Sequence, residues 1–266
     1  MNSKGRCMKR RVFLGGLMLF LGGVLALGDE EKSLPERVEG STRSFRFTAS
    51  KLGIPILRAT IQLKNGLEGG GRPVYRIEAR VRSVDALGLF FYMDNRFIST
   101  MEARTCLPLQ YMKVIDQGGL LFTKKQYRQR LTFDPLQGRV VIENEGSAEK
   151  REVPVSADTY DPLSMFGRCY LREEIHPGQE IRMSIFDGIK LRQMVFRSIQ
   201  EKVSLPRSGE VEAVRLESST TFSSFGEKEG VIRIWYALDG KKTPLALELG
   251  LPVGTVKFQL DEAQDE

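Results

Sequence analysis

Polar and apolar positions alternate with period two through most of the chain. In 74–82, Tyr75, Ile77, Ala79 and Val81 share one face, and Arg76, Glu78, Arg80 and Arg82 the other. The same pattern recurs in 181–186, 231–238 and 255–260, where Val256, Phe258 and Leu260 alternate with Thr255, Lys257 and Gln259. Period two places side chains on alternate faces, so these segments predict half-buried antiparallel strands. Similar segments lie at 43–50, 54–64, 94–104, 108–116, 120–134, 138–144, 189–199 and 211–222. Turn signals separate many of them: Asn65-Gly66, Gly69-Gly70-Gly71, Gly118-Gly119, Asp134-Pro135, Asp187-Gly188 and Asp239-Gly240. One segment departs. Asp161-Pro162 reads as an N-cap and first helical position, and His176-Pro177-Gly178 as a stop. Between them Asp161, Ser164, Arg168 and Arg172 fall on one helical stripe, and Leu163, Phe166 and Tyr170 on the opposite side. The expectation is an all-β domain over 43–266: a large antiparallel β-roll or an open or closed barrel of about a dozen strands, with one amphipathic helix laid on the sheet. Closing so many strands removes exposed edges.

Charge first suggests something else. The formal net charge is +6 and the pI near 9.2, which reads as a nucleic-acid or anionic-surface footprint. Lys4, Arg6, Lys9, Arg10 and Arg11 supply five of the six surplus charges, and no acid lies in residues 1–28. The remainder is close to neutral, so nucleic acid is not the expected partner. Lys9-Arg10-Arg11 precede an uncharged run, Val12 to Gly28, that ends small-x-small at Ala26-Leu27-Gly28. That is the layout of a secretory signal peptide. It predicts export to the periplasm or the outer membrane, with no transmembrane span after cleavage. A retained N-terminal anchor is the alternative. Residues 29–42 are polar and read as a flexible lead.

Export bears on the cysteines. With Cys7 removed, Cys106 and Cys169 are an even pair in an oxidising compartment, readable as a disulfide or as two buried thiols. Metal and cofactor chemistry are not indicated. His176 is the only histidine and sits in a turn, no close cysteine pairing occurs, and no Walker loop or nucleophile elbow is present. Carboxylates could work without histidine, and Asp158, Asp161 and Asp239 are the candidates for a hydrolase of envelope polymers. Asp161 reads equally as a cap and Asp239 as the start of a turn. Two surface features are candidate binding sites. Arg76, Arg80 and Arg82 share one strand face, and Lys124, Arg128 and Arg130 another; as neighbours they would form a cationic patch, otherwise a solvated face. The run Leu87, Leu89, Phe90, Phe91, Tyr92 is apolar on both faces. It predicts a strand buried under the helix, the wall of a lipid-sized cavity, or an exposed contact tip.

Three blocks resemble a known family. They are Tyr160-Asp161-Pro162-Leu163-Ser164 with Leu171-Arg172 and Pro177-Gly178; Ile234-Trp235-Tyr236-Ala237-Leu238-Asp239 with Lys241-Lys242-Thr243-Pro244 and Gly254; and Gly53-Ile54-Pro55-Ile56 leading to Ala59. Together they resemble the exported bacterial family catalogued as domain of unknown function 3108, over roughly residues 43–260. The helix block carries a residue or two more than the family pattern between Ser164 and Leu171-Arg172, so either Arg168 or Arg172 stands for the family's arginine. The cysteine pair is outside the pattern. The resemblance implies a β-roll or open barrel in a Gram-negative-type envelope, and it brings no catalytic residues or ligand. Within the blocks, Trp235 faces away from Ile234 and Tyr236, over the helix or a cavity mouth. Pro244 suits an edge or a first strand position, and Arg168 or Arg172 pairs with Asp239, for packing or for a ligand. The expected activity is non-catalytic binding of an envelope lipid, glycan or protein. A hydrolase and a purely structural assembly factor are the alternatives.

Overall fold

The computed structural model describes residues 41–68, 71–87, 90–120, 122–222, 227–252 and 254–265. The signal-peptide and lead segments up to residue 40 lie outside the described residues, as does Leu89. One compact unit, Glu36–Glu266, contains all that follows.

Fifteen strands form a single sheet. The first eight are β1 (Thr42–Lys51), β2 (Ile54–Glu68), β3 (Arg72–Ser83), β4 (Tyr92–Glu102), β5 (Pro108–Gly119), β6 (Phe122–Asp134), β7 (Arg139–Asn144) and β8 (Lys150–Pro154). The short β9 (Thr159–Tyr160) leads into the helix α1 (Pro162–Leu171). The chain continues through β10 (Glu180–Phe186), β11 (Leu191–Leu205), β12 (Gly209–Phe222), β13 (Lys228–Ala237), β14 (Pro244–Leu251) and β15 (Gly254–Asp265). The order is β8-β7-β6-β5-β4-β3-β2-β1-β15-β14-β13-β12-β11-β10-β9. Every pairing is antiparallel except β9 with β10. The first and last long strands pair at the centre, Arg43 opposite Asp265, and β8 and β9 are left as edges. The sheet is open.

Antiparallel order sends the hairpin connections alternately to two rims. The upper rim carries the β1–β2, β3–β4, β5–β6, β7–β8, β10–β11, β12–β13 and β14–β15 connections, and the lower rim the others. The sheet rolls around α1. One apolar cluster joins Phe45 and Phe47 of β1, Ile77 of β3, Met101 of β4, Met183 of β10, Phe196 of β11, Leu216 of β12 and Tyr236 of β13 to Met165, Phe166 and Tyr170 of the helix. A second cluster shows how far the roll goes. Phe186, at the end of β10, packs with Tyr111, Leu131, Phe133, Val140 and Ile142 of β5–β7. The end of β10 therefore reaches across to the concave face of the opposite arm.

The helix begins as its sequence predicts. Asp161 caps it, Oδ1 accepting the Leu163 and Ser164 backbone N–H at 2.8 and 3.1 Å, and Ser164 Oγ accepts the Asp161 N–H in return. It ends at Leu171, before the predicted stop; Pro177-Gly178 belong instead to the turn leading into β10, where Gly178 has φ +82°. The expectation of a helix laid on one side of the sheet is corrected too. Asp161 and Ser164 are fully buried, because the roll encloses the helix rather than receiving it on one face.

Strands β8, β9 and β14 are additions to the sequence reading. In β8 (KREVP) four of the five residues are exposed, β9 has two residues, and β14 (PLALELGL) sets its leucines against a face with one charged residue, Glu248. The run from 87 to 92 is not one strand. A 3₁₀ turn at Asp85–Leu87 precedes it and β4 starts only at Tyr92.

Candidate functional site

Where the roll overlaps itself, a polar groove of about 380 Å³ lies along the seam, lined by Gln129, Ile142, Asn144, Ser147, Glu149, Arg151, Gly188 and Ile189. Its floor comes from β6 and β7, one wall from the β7–β8 connection and β8, and the other from the β10–β11 tip. Asp187 organises that tip. Its Oδ1 accepts the Ile189 and Lys190 N–H, both at 2.8 Å, and its Oδ2 takes Arg192 at 2.9 Å. Two cations then reach across the seam to the same tip. Lys113 Nζ donates to the Asp187 carbonyl at 2.8 Å, and Arg151 Nη2 to the Gly188 carbonyl at 3.1 Å.

Gly188 is required there. Its φ is +88°, and a Cβ would stand 2.7 Å from Gln129 Oε1 and 3.0 Å from Lys113 Nζ. Lys113 is only 6% exposed, and loss of solvation lowers its pKa, with Arg151 adding to the effect and Asp187 opposing it. Gln129 donates to Asn144 Oδ1 at 3.0 Å, while its buried Oε1 has no hydrogen-bond partner among the described residues. The groove thus combines amide, hydroxyl, carboxylate and guanidinium groups with two isoleucine side chains. That arrangement suits recognition by hydrogen bonds and van der Waals contact. Within it, the Ser147 hydroxyl accepts the Glu149 N–H at 3.1 Å.

The residues singled out from sequence are dispersed over the roll. β3 and β6 are separated by β4 and β5, so the two basic faces do not merge. Their cations are largely matched by carboxylates: Arg80 binds Asp94 through two bonds of 2.7 and 2.6 Å, Arg82 lies 3.8 Å from the same acid, and Arg128 meets Glu145 at 2.9 Å. The Arg80 guanidinium, by its hydrogen bonds, holds the Asp94 carboxyl below its usual range. Arg76 is exposed on the same face. The cationic patch resolves into a solvated, charge-balanced face.

Phe90 and Phe91 do not share a cavity wall: Phe90 is exposed on the upper rim, and Phe91 packs against the main core. Trp235 covers neither the helix nor a cavity mouth. It lies in a separate cluster with Ala213 and Ala246, its Nε1 donating to Glu201 at 2.6 Å and Lys257 Nζ standing 4.5 Å over its ring.

The expected arginine–Asp239 lock is replaced by another. Arg168 binds Glu173 and the Tyr160 hydroxyl, and Arg172 donates to the Ala103 carbonyl at 2.8 Å. Asp239 accepts the Lys241 N–H and the Thr243 hydroxyl, both at 3.0 Å, within its own turn. The β13–β14 connection is tied to the helix by Lys242, which donates to the carbonyls of Cys169 and Glu173 at 3.4 and 2.8 Å. A cation at a helix C-terminus meets unsatisfied carbonyls. Pro244 opens β14, buried, and Gly254 turns into β15 at φ +129°.

The disulfide expectation is corrected: Cys106 and Cys169 are free, buried thiols, their pKa values pushed up to about 11 and about 12 by burial. Asp161 has its pKa pushed up to about 6 by complete burial, against the opposing hydrogen bonds from Ser99, Leu163 and Ser164. Among the described residues no group of three His, Cys, Asp or Glu side chains could hold a metal ion, and no helix is long and apolar enough to cross a membrane.

Fold and seam define a class: an open antiparallel β-roll with an internal helix and a polar groove at its overlap. The model of the family described as protein of unknown function DUF3108 matches residues 44–261, and the chain belongs to that family. No curated protein matches it. Among solved structures, a beta-barrel-like protein of domain of unknown function DUF1849 from Brucella abortus is similar at 10% identity over 86% of this chain and 99% of that one, with a TM-score of 0.49.

Proposed function

We propose that this is an exported envelope protein that binds a polar, glycan-class partner in the seam groove without transforming it. The observation that carries this reading is the groove itself, along which Asn144, Ser147, Glu149 and Arg151 present exposed polar side chains. Sugar hydroxyls would pair with the exposed Asn144, Ser147, Glu149 and Arg151 side chains, and the exposed Ile189 offers apolar contact for a pyranose face. The export route rests on the basic, apolar and small-x-small order of residues 1–28. The hydrolase reading is less favoured, because Asp161 is a buried cap and Asp239 is engaged within its turn.

The test has two parts. Fractionation of the producing cell should place the chain in the envelope, shortened to begin at Asp29. Mass spectrometry of protein isolated from that envelope should find a bound saccharide that Asn144→Ala and Arg151→Met variants lose. A cytoplasmic, unprocessed chain would overturn the export reading. An envelope protein carrying no saccharide, or one that both variants retain, would overturn the binding reading.

A further inference from the structure

The upper rim carries a row of bare apolar tips. Leu52 is 95% exposed in the β1–β2 connection and Ile54 65% at the start of β2, Phe90 is 53% exposed in the β3–β4 connection, and Leu120 73% in the β5–β6 connection. These three connections follow one another along the sheet, since β1 to β6 pair in sequence order. They also touch. The Val84 N–H donates to the Ile56 carbonyl at 3.2 Å, joining the ends of β2 and β3. Gly119 packs so closely on the Phe90 backbone that a Cβ would lie 2.5 Å from the Phe90 carbonyl oxygen. The rim is therefore one continuous edge.

Cations accompany the tips. Lys51 adjoins Leu52, and Lys124 and Lys125 lie just inside β6; all three are exposed and have no carboxylate partner among the described residues. The acids nearby are Asp85, which is exposed, Asp94, which is bound by Arg80, and Asp116, which accepts the Tyr92 hydroxyl at 3.1 Å. The helix C-terminus and Lys242 are at the opposite, lower rim, so these tips take no part in sealing the core.

We infer that the upper rim docks on a bilayer surface bearing anionic headgroups. Leu52, Ile54, Phe90 and Leu120 enter the acyl boundary, and Lys51, Lys124 and Lys125 meet the headgroup charge. Hairpin tips suit this insertion better than a protein–protein contact. Each sits on its own connection beside exposed lysines, which matches the apolar boundary and anionic headgroups of a bilayer. Apolar burial and anionic attraction act together in interfacial binding, and both are present in this row. The three connections from β1 to β6 are distinct from the β7–β8 and β10–β11 connections of the same rim that wall the seam groove, and the inference does not depend on the glycan reading.

The test uses the chain from Asp29 onward, so that the apolar run 12–28 contributes nothing; the unit from Glu36 is compact by itself. Co-sedimentation is measured with vesicles of phosphatidylcholine alone and with about one-third phosphatidylglycerol. The expected result is partition onto the anionic vesicles that weakens as salt rises. Leu52→Ser with Ile54→Ser should lower it by about tenfold or more. Lys51→Glu with Lys124→Glu should remove the preference for anionic lipid. Both pairs are exposed, and an unchanged thermal midpoint would confirm the fold. Phe90→Trp supplies an independent reading: its emission should shift blue on anionic vesicles, while Trp235, the sole native tryptophan, is buried and stays unmoved. A wild-type chain that stays in solution with both vesicles overturns the inference. So does partition that the folded variants retain in full, or a Phe90→Trp emission that does not move.

Discussion

Asp161 joins two demands that oppose each other. As an N-cap it is favoured as an anion, accepting two backbone N–H groups and the Ser99 hydroxyl at 2.7 Å. Buried completely and without a cation, it is favoured as an acid, and burial prevails, with a pKa near 6 against the ordinary 3.8. A carboxyl whose folded pKa lies above its unfolded value holds a proton that the unfolded chain releases. Its contribution is fully present below pH 3.8 and is lost as pH rises toward 6. The loss is about 3 kcal/mol, at 1.36 kcal/mol per pKa unit. Asp94 and Glu217, held low by Arg80 and Arg233, act in the opposite direction over their own acidic range. The measurement is therefore a difference: urea stability of wild type minus that of Asp161→Asn, taken from pH 3.5 to 7. It should fall by about that amount between pH 4 and 6, and a flat difference would show that Asp161 titrates at the same pH in the folded and the unfolded chain. The cysteines give a second residue-scale outcome. Both thiols are fully buried and protonated at neutral pH. The chain from Asp29 onward should titrate two thiols when denatured without reductant and none when native. Two missing thiols in the denatured chain would restore the bridge.

The helix shows how local signals and packing divide the work. Its start was legible, because Asp161, Pro162 and Ser164 act through neighbouring backbone groups. Its end was not. Pro177 and Gly178 serve the next strand's turn, and the helix stops on tertiary contacts, with Arg172 drawn to Ala103 and Lys242 seated on its last carbonyls. The first half of its polar stripe is enclosed for a related reason: Asp161 and Ser164, satisfied by the cap itself and by Ser99, need no solvent. Gly167 carries no local signal at all, and a mid-helix glycine costs about 1 kcal/mol relative to alanine. Its reason is the wall it faces. A Cβ would stand 2.5 Å from Met101 Cε and 2.9 Å from Ile77 Cδ1, and both side chains are fully buried. Gly167→Ala should therefore destabilise, by about 1 kcal/mol once the regained helix propensity is offset, and Gly167→Val by about 3 kcal/mol. Met101→Ala opens space at that spot, so the double variant Met101→Ala/Gly167→Ala should cost less than the two singles together in urea unfolding. Strict additivity would place the cost elsewhere.

At the scale of the whole molecule, the hairpins were readable from alternation and turn residues, but their closure was not. The pairing of β1 with β15, and the reach of β10 over β5–β7, join positions far apart in sequence whose side chains have no distinctive chemistry. The seam groove was invisible for the same reason. It assembles Lys113, Gln129, Asn144, Arg151 and Gly188 from four strands and a turn, and of these only Asp187-Gly188 announced itself, as a turn. An open sheet of this size must still manage its edges. Here β9 is shortened to two residues, β8 is charged, and the overlap is held by Phe186 and by the two cation–carbonyl bonds to Asp187 and Gly188. That makes the overlap the line along which the roll should open first, since a handful of side chains stand where the rest of the sheet has continuous ladders. Gly188→Ala strikes it twice, by a φ of +88° and by contacts on Gln129 and Lys113, and should cost about 1–3 kcal/mol. Phe186→Ala empties the packing beneath and should cost about 3–5 kcal/mol. Hydrogen exchange separates a seam from a general loosening. In both variants the amides of β7, β8 and residues 186–190 should exchange faster at low denaturant, while those of β1, β15 and β14 keep their protection. Acceleration spread evenly over all fifteen strands would mean that the roll opens as one unit and that the overlap is no weaker than its ladders.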